Sequence, residues 1–157
     1  FDAVITESVT CFPEDKQRAV NEYVRVARPG GYVGLAEATW LKVPPPLEVV
    51  AWASQDVGAS VQPLPADEWV RLMETAGLAE IEAQVRPVET KKEAGLLVRR
   101  YGYGGVIGSA LRALALYARN PAYRRFVKSV KEGGIVPKNL AEYFGYGLYV
   151  GRKQAAA

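Results

Sequence analysis

The strongest constraint on this chain is a pair of short apolar runs with a helical pattern between them. FDAVITESVTCF at 1–12 is rich in Val, Ile and Thr, and YVGLAEATW at 32–40 has the same character. Runs of this kind read as strands buried in a parallel sheet. Between them Pro13 suits a first helical position, with Glu14 and Asp15 at the positive end of the helix. Val20, Tyr23, Val24 and Ala27 recur at helical spacing, and Pro29-Gly30-Gly31 stops the pattern. Strand, helix and strand in about forty residues close as a right-handed parallel unit.

Downstream, Pro44-Pro45-Pro46 breaks the chain, and a weak helical pattern passes through Leu47, Val50 and Ala51. ADEWVRLMETAGL is a stronger helix: Trp69, Leu72, Met73 and Ala76 share one face, and Gly77 is the stop. Ile81, Ala83 and Val85 alternate with Glu82, Gln84 and Arg86, which predicts a third strand with one wetter face. A basic helical stretch follows, with Ile107, Leu111, Leu114 and Ala118 in one stripe. Asn120-Pro121 opens a further helix carrying Phe126, Val127 and Val130, and Gly133-Gly134 ends it. In the closing FGYGLYVG, Phe144, Tyr146, Leu148 and Val150 alternate with glycines and Tyr149, a strand with one nearly bare face.

The 157 residues suffice for one domain with a proper core. Histidine is absent, which excludes Ser-His and Cys-His nucleophilic catalysis, His-based zinc sites and imidazole acid–base steps. No metal-ligand spacing occurs. A single cysteine, Cys11, forms no internal disulfide and favours a reducing cytoplasm. No apolar run approaches the roughly 20 residues of a membrane span. The chain opens on Phe1, so a preceding segment is expected. Ala155-Ala156-Ala157 reads as a vector-derived tail, which leaves 1–154 as the domain. The net charge of +3 conceals an asymmetry: Arg86 to Lys138 holds twelve Lys and Arg against three Glu, while the rest is acidic.

The segment FDAVITESVTCFPEDKQRAVNEYVRVARPGGYVGLAEATW resembles the second half of class I S-adenosylmethionine-dependent methyltransferases. In that family an FD-x-V strand follows the cofactor-binding half and leads to a helix ending in R-V-x-(K/R)-P-G-G, then to a fifth strand. Phe1-Asp2, Arg25-Val26 and Arg28-Pro29-Gly30-Gly31 match. The helix from Ala66 to Gly77, the strand near Ile81 and the terminal FGYGLYVGRK match the family's remaining helix and closing antiparallel pair. The resemblance implies an α/β fold: half of a doubly wound, Rossmann-like sheet of about four strands, three parallel and one antiparallel. It also implies methyl transfer from S-adenosylmethionine to a small or medium-sized acceptor in the complete parent. The family's glycine-rich cofactor loop precedes the matched region. The glycine cluster Gly102 to Gly108 is no substitute, because Ile107 stands where G-x-G-x-x-G needs its last glycine and no predicted strand feeds it. This truncated half alone is expected to bind no S-adenosylmethionine and to transfer no methyl group.

Ligands of open α/β sheets bind outside the carboxyl ends of the strands. At the end of the first strand stand Glu7, Ser8, Val9 and Thr10, then Cys11 and Phe12. The resemblance implies that Glu7, Ser8 and Val9 flank the methionine part of the cofactor, and that Thr10 and Phe12 border the acceptor pocket. Glu37, Thr39 and Trp40 occupy the equivalent end of the second strand, with Thr39 and Trp40 as further acceptor-pocket residues. Glu7 and Glu37 are the candidate catalytic carboxylates, placed to orient an acceptor or take its proton. The plainer role for Glu7 is a turn cap facing water. Glu37, costly to bury unpaired, must meet a partner or the cleft. Trp40 also suits a core wall, and Cys11 a small hydrophobe.

A third parallel strand ends at the carboxyl edge of the sheet, and an antiparallel last strand begins there. The insertion between them, about 90–138, is therefore expected to be a helical lid. Arg99, Arg100, Arg124, Arg125, Lys128 and Lys131 make it a candidate surface for an anionic or lipid-bound acceptor or for nucleic acid; a solvated basic face is the commoner outcome. The strand from Ala3 to Val9 lacks its family neighbour, and open strands pair with other chains. A homodimer through this N-terminal strand is expected. Two other functions stay open: a non-enzymatic homodimeric binding or scaffold module, and a recruited activity such as ester hydrolysis at Ser8 in the inter-strand pocket.

Overall fold

The computed structural model describes all residues except 56–60, 89, 134–136 and 156–157; side chains are also left out at 55, 90–94 and 131–133. Gly134 of the expected helix stop, and Ala156 and Ala157 of the tail, lie outside the described residues. The chain divides into two compact units, Phe1–Val88 with Pro137–Ala157, and Glu89–Val136.

In the first unit, β1 (Ala3–Glu7), α1 (Lys16–Val26) and β2 (Tyr32–Trp40) form the parallel crossover, with Ala3 opposite Tyr32 and Glu7 opposite Ala36. The helix α1 starts later than Pro13 suggests. Asp15 accepts from the N–H of Arg18 at 2.8 Å and so serves as N-cap, which leaves Pro13 in the loop before it. α2 (Leu47–Gln55) follows, then a two-residue β3 (Leu64–Pro65) beside the end of β2. α3 (Ala66–Thr75) ends at Gly77, whose φ of 89° only glycine takes freely, and β4 (Leu78–Pro87) comes next. After the second unit, a single turn α6 (Leu140–Tyr143; α4 and α5 precede it in the chain) leads into β5 (Phe144–Lys153).

The sheet order is β1-β2-β5-β4, with β5 antiparallel to both neighbours. Period-two alternation gives the sheet two unlike faces. On one, Val33, Leu35, Glu37 and Thr39 of β2 and Tyr149 of β5 are buried against Val20 and Val24 of α1 and Trp69 and Met73 of α3. On the other, Ile5 is 80% exposed and Tyr146, Leu148 and Val150 are each 44% exposed.

The single wetter face expected of β4 is not found, and β5 turns its glycines to the covered side. The glycine side of β5 is the covered side, because a Cβ at Gly147 would collide with the ring of Tyr149, which crosses that position. In β4, residues 82–87 are exposed on both faces. A register shift between Ala79 and Glu82, with Glu80 at φ 52°, bends the strand after its buried start at Leu78.

The second unit consists of α4 (Thr90–Arg119) and α5 (Pro121–Gly133). Gly102, at φ 69° and ψ 165°, interrupts α4. The glycine cluster from Gly102 to Gly108 thus lies in a helical element and not in a strand-fed loop. Asn120 caps α5, its Oδ1 accepting from the N–H groups of Ala122 (2.9 Å) and Tyr123 (3.2 Å). The stripe of Ile107, Leu111 and Leu114 is exposed, whereas Gly108, Ala113, Tyr123 and Val127 are half-buried. No helix among the described residues is long and apolar enough to cross a membrane.

Candidate functional site

β1 runs out at Glu7, and Ser8 turns into the left-handed backbone region at φ 53° while its N–H still donates to the carbonyl of Ala36 at 2.8 Å. The turn carries the chain across the end of β2, where Glu37 receives it. Glu37 Oε1 accepts from the N–H of Val9 (3.2 Å) and Thr10 (2.8 Å), and Oε2 accepts from the N–H of Cys11 (3.2 Å). Three backbone donors explain how a carboxylate only 1% exposed is held beneath the loop. Both oxygens are engaged in positioning that loop.

Two more polar groups close the underside. Lys16 Nζ donates to the carbonyl of Pro13 at 3.0 Å and to Gln62 Oε1 at 3.2 Å. Burial pulls its ammonium below the usual lysine range, opposed by the nearby Cys11 and Glu37. Burial pushes the Cys11 thiol up to about 11, and the Glu37 charge and a hydrogen bond to it push the same way. Cys11 is therefore a neutral thiol at physiological pH, which suits the small hydrophobe expected of it.

At the carboxyl ends of β1 and β2 lies a pocket of ≈ 350 Å³. Ser8, Cys11, Phe12 and Ala38 line it from that side; Trp52, Ala53 and Val61 line it from α2 and the segment after it. Val88, Phe144, Gly145 and Tyr146 complete the wall. Phe144 is fixed edge-on by two indoles, Trp40 at 5.6 Å and Trp52 at 5.9 Å between ring centroids.

The candidate residues separate by strand parity. Ser8 and Phe12 line the pocket, and Trp40 braces it from behind through Phe144. Thr10 and Thr39 are fully buried on the helix-covered side, away from the pocket wall. Thr10 Oγ1 lies 3.4 Å from Thr6 Oγ1; Thr39 Oγ1 donates to the Glu37 carbonyl at 3.0 Å and shares a 2.9 Å hydrogen bond with the Tyr149 hydroxyl. Glu7 is exposed and shares the open face with Ile5, opposite to Glu37, and Val9 is half-exposed. Trp52, Phe144, Tyr146 and Lys16 were not singled out from sequence. A signal existed for two of them: the last strand had to begin at this edge, which places Phe144 and Tyr146 here.

No protein-family model matches the sequence, and no curated protein matches it. Solved structures do. The [4+2]-cyclase SpnF is 20% identical with a TM-score of 0.60, over 99% of this chain and 50% of that one. Haemonchus contortus phosphoethanolamine N-methyltransferase 2, in complex with phosphomonomethylethanolamine and S-adenosylhomocysteine, is 16% identical with a TM-score of 0.65, over 98% and 34%. Geranyl diphosphate methyltransferase in complex with S-adenosylmethionine is 15% identical with a TM-score of 0.52, over 97% and 50%. The fold is thus the class I S-adenosylmethionine-dependent methyltransferase fold, as an α/β half sheet. The chain spans about a third to about half of the length of these structures.

Two of these structures hold S-adenosylhomocysteine or S-adenosylmethionine. Among the described residues the pocket lining includes no carboxylate to hold a ribose diol, and the N–H groups of Val9, Thr10 and Cys11 are already engaged by Glu37. These residues do not by themselves fit S-adenosylmethionine. They fit an apolar or aromatic molecule.

Proposed function

We propose that this chain is the acceptor-side half of an S-adenosylmethionine-dependent methyltransferase, taking a small or medium-sized molecule with an apolar or aromatic body. One observation carries this reading: the aromatic pocket opens where parallel β1 and β2 end and antiparallel β5 begins, with Trp40 paired to Phe144 across the ladder. In this reading Ser8 and Val9 form the edge that faces the methionine part of the cofactor. Glu7, outside the pocket lining but next to Ser8 on the open face, is the carboxylate to orient an acceptor that reaches the rim or to take its proton, while Glu37 is a positioning residue that holds the loop. Methyl transfer needs mainly alignment of acceptor and sulfonium, which suits a site without histidine.

Nucleoside binding would rest on a glycine-rich loop that these 157 residues do not contain. Calorimetric titration of the 157-residue chain with S-adenosylmethionine is therefore expected to give no measurable heat of binding. A dissociation constant in the micromolar range for this chain alone would refute the assignment of halves. One of the similar structures is named a cyclase, so the reaction does not follow from the fold.

A second reading, a homodimeric binding module, is favoured by the position of β1 at the sheet edge with Ile5 80% exposed. Light scattering reads it directly. A pair should fall apart in Ile5→Pro, because the register to β2 leaves the Ile5 N–H facing the open edge as a ladder donor; a stable monomer of 17.1 kDa across micromolar concentrations would exclude it.

A further inference from the structure

Residues 95–130, which span most of α4 and α5, hold seven Lys and Arg and no acidic residue. The same stretch exposes large apolar side chains. Tyr103 (77%), Ile107 (59%), Leu111 (62%) and Leu114 (66%) follow one another at helical spacing along the part of α4 beyond Gly102. α5 is amphipathic: Tyr123, Phe126, Val127 and Val130 share one face, with Arg125 and Lys128 on the other. Phe126 and Val130 are both more than half exposed.

At the elbow of the two helices is a cleft of ≈ 430 Å³ lined by Tyr117, Pro121, Arg124, Arg125, Val127 and Lys128. Arg124 Nη1 closes the end of α4, donating to the carbonyls of Tyr117 and Ala118 at 3.0 Å each. Arg125 is an exposed cation on the cleft wall. A phosphate monoanion or diester suits this lining: cations, a phenol and an apolar floor.

We propose that the α4–α5 hairpin docks on an anionic lipid bilayer. Its apolar stripe enters the boundary between headgroups and acyl chains, and its cations, Arg125 first, meet the lipid phosphates. Charge and apolarity decide between occupants. A nucleic acid would use the cations but leave Ile107, Leu111, Leu114 and Phe126 in water. A second copy would cover the stripe but bring cation against cation. An anionic interface satisfies both at once, as a surface-lying amphipathic helix does.

The test is co-sedimentation of the full 157-residue chain with vesicles of phosphatidylcholine alone, or of phosphatidylcholine mixed with phosphatidylglycerol. Partitioning onto the mixed vesicles should exceed that onto neutral ones by about tenfold or more and weaken with salt. Arg112→Gln with Arg125→Gln, and separately Leu111→Gln with Leu114→Gln, should each lower it by about tenfold or more while circular dichroism stays unchanged; all four positions are exposed. No partitioning onto the mixed vesicles, or equal partitioning onto both, overturns the proposal. So does loss in the arginine pair with none in the leucine pair, which would mean charge attraction alone, without entry of the apolar stripe. A dimer that the leucine pair dissolves, without vesicle binding, overturns it in favour of a second copy.

Discussion

The two faces of the sheet come from the same strands yet meet opposite fates. On the helix side Trp69, Met73, Val33 and Tyr149 are fully buried, and the buried hydroxyls of Thr39 and Tyr149 satisfy one another. On the far side Ile5, Tyr32, Tyr146, Leu148 and Val150 are each 44–80% exposed. These are not surface residue types, and they adjoin one another across β1, β2 and β5. A strand carries instructions for two faces, and α1 and α3 answer only one. The open face, with the edge of β1, is where further structure is expected to pack.

The comparison can be broken by mutation, and urea unfolding of the isolated chain is the measurement. Trp69→Ala should be the most damaging, at about 3–5 kcal/mol, because it empties the centre of the covered face and removes a hydrogen bond to the Ala38 carbonyl. Glu37→Gln should cost about 1–3 kcal/mol, since an amide accepts through one oxygen only and leaves at least one of three backbone donors unmet. It should also change the pocket, through the loop that carries Cys11 and Phe12. Leu148→Ala should stay within about 1 kcal/mol, because its side chain is already partly in water. If Leu148→Ala proved as costly as Trp69→Ala, the open face would be covered in solution and the contrast would fail.

The parallel crossover was legible because Val20 and Val24 keep helical spacing between two β-branched runs and Gly30 and Gly31 mark the exit. Trp69 and Met73 were legible for the same reason. The facing of β5 was not. Its bulky residues at 144, 146, 148 and 150 look like core, yet the covered face needs the space left by Gly147 so that Tyr149 can reach Thr39. Parity also explains the site. Phe12 and Ser8 were found at the strand end, but Thr39 shares its side of β2 with Leu35 and Glu37, which turns it away from the pocket. Trp52 escaped notice because its contact with Phe144 joins parts of the chain about ninety residues apart, and such packing leaves no local periodicity.

The Glu37 clasp has a consequence for how the loop breathes. Its three hydrogen bonds join residues 26 to 28 positions apart in the chain, so the amides of Val9, Thr10 and Cys11 report on the docking of two strands. In hydrogen exchange they should behave as sheet amides, opening only when β1 and β2 part, although the backbone there is irregular. The front wall of the pocket is accordingly as rigid as the sheet behind it, and ligand entry must depend on motion elsewhere along its rim.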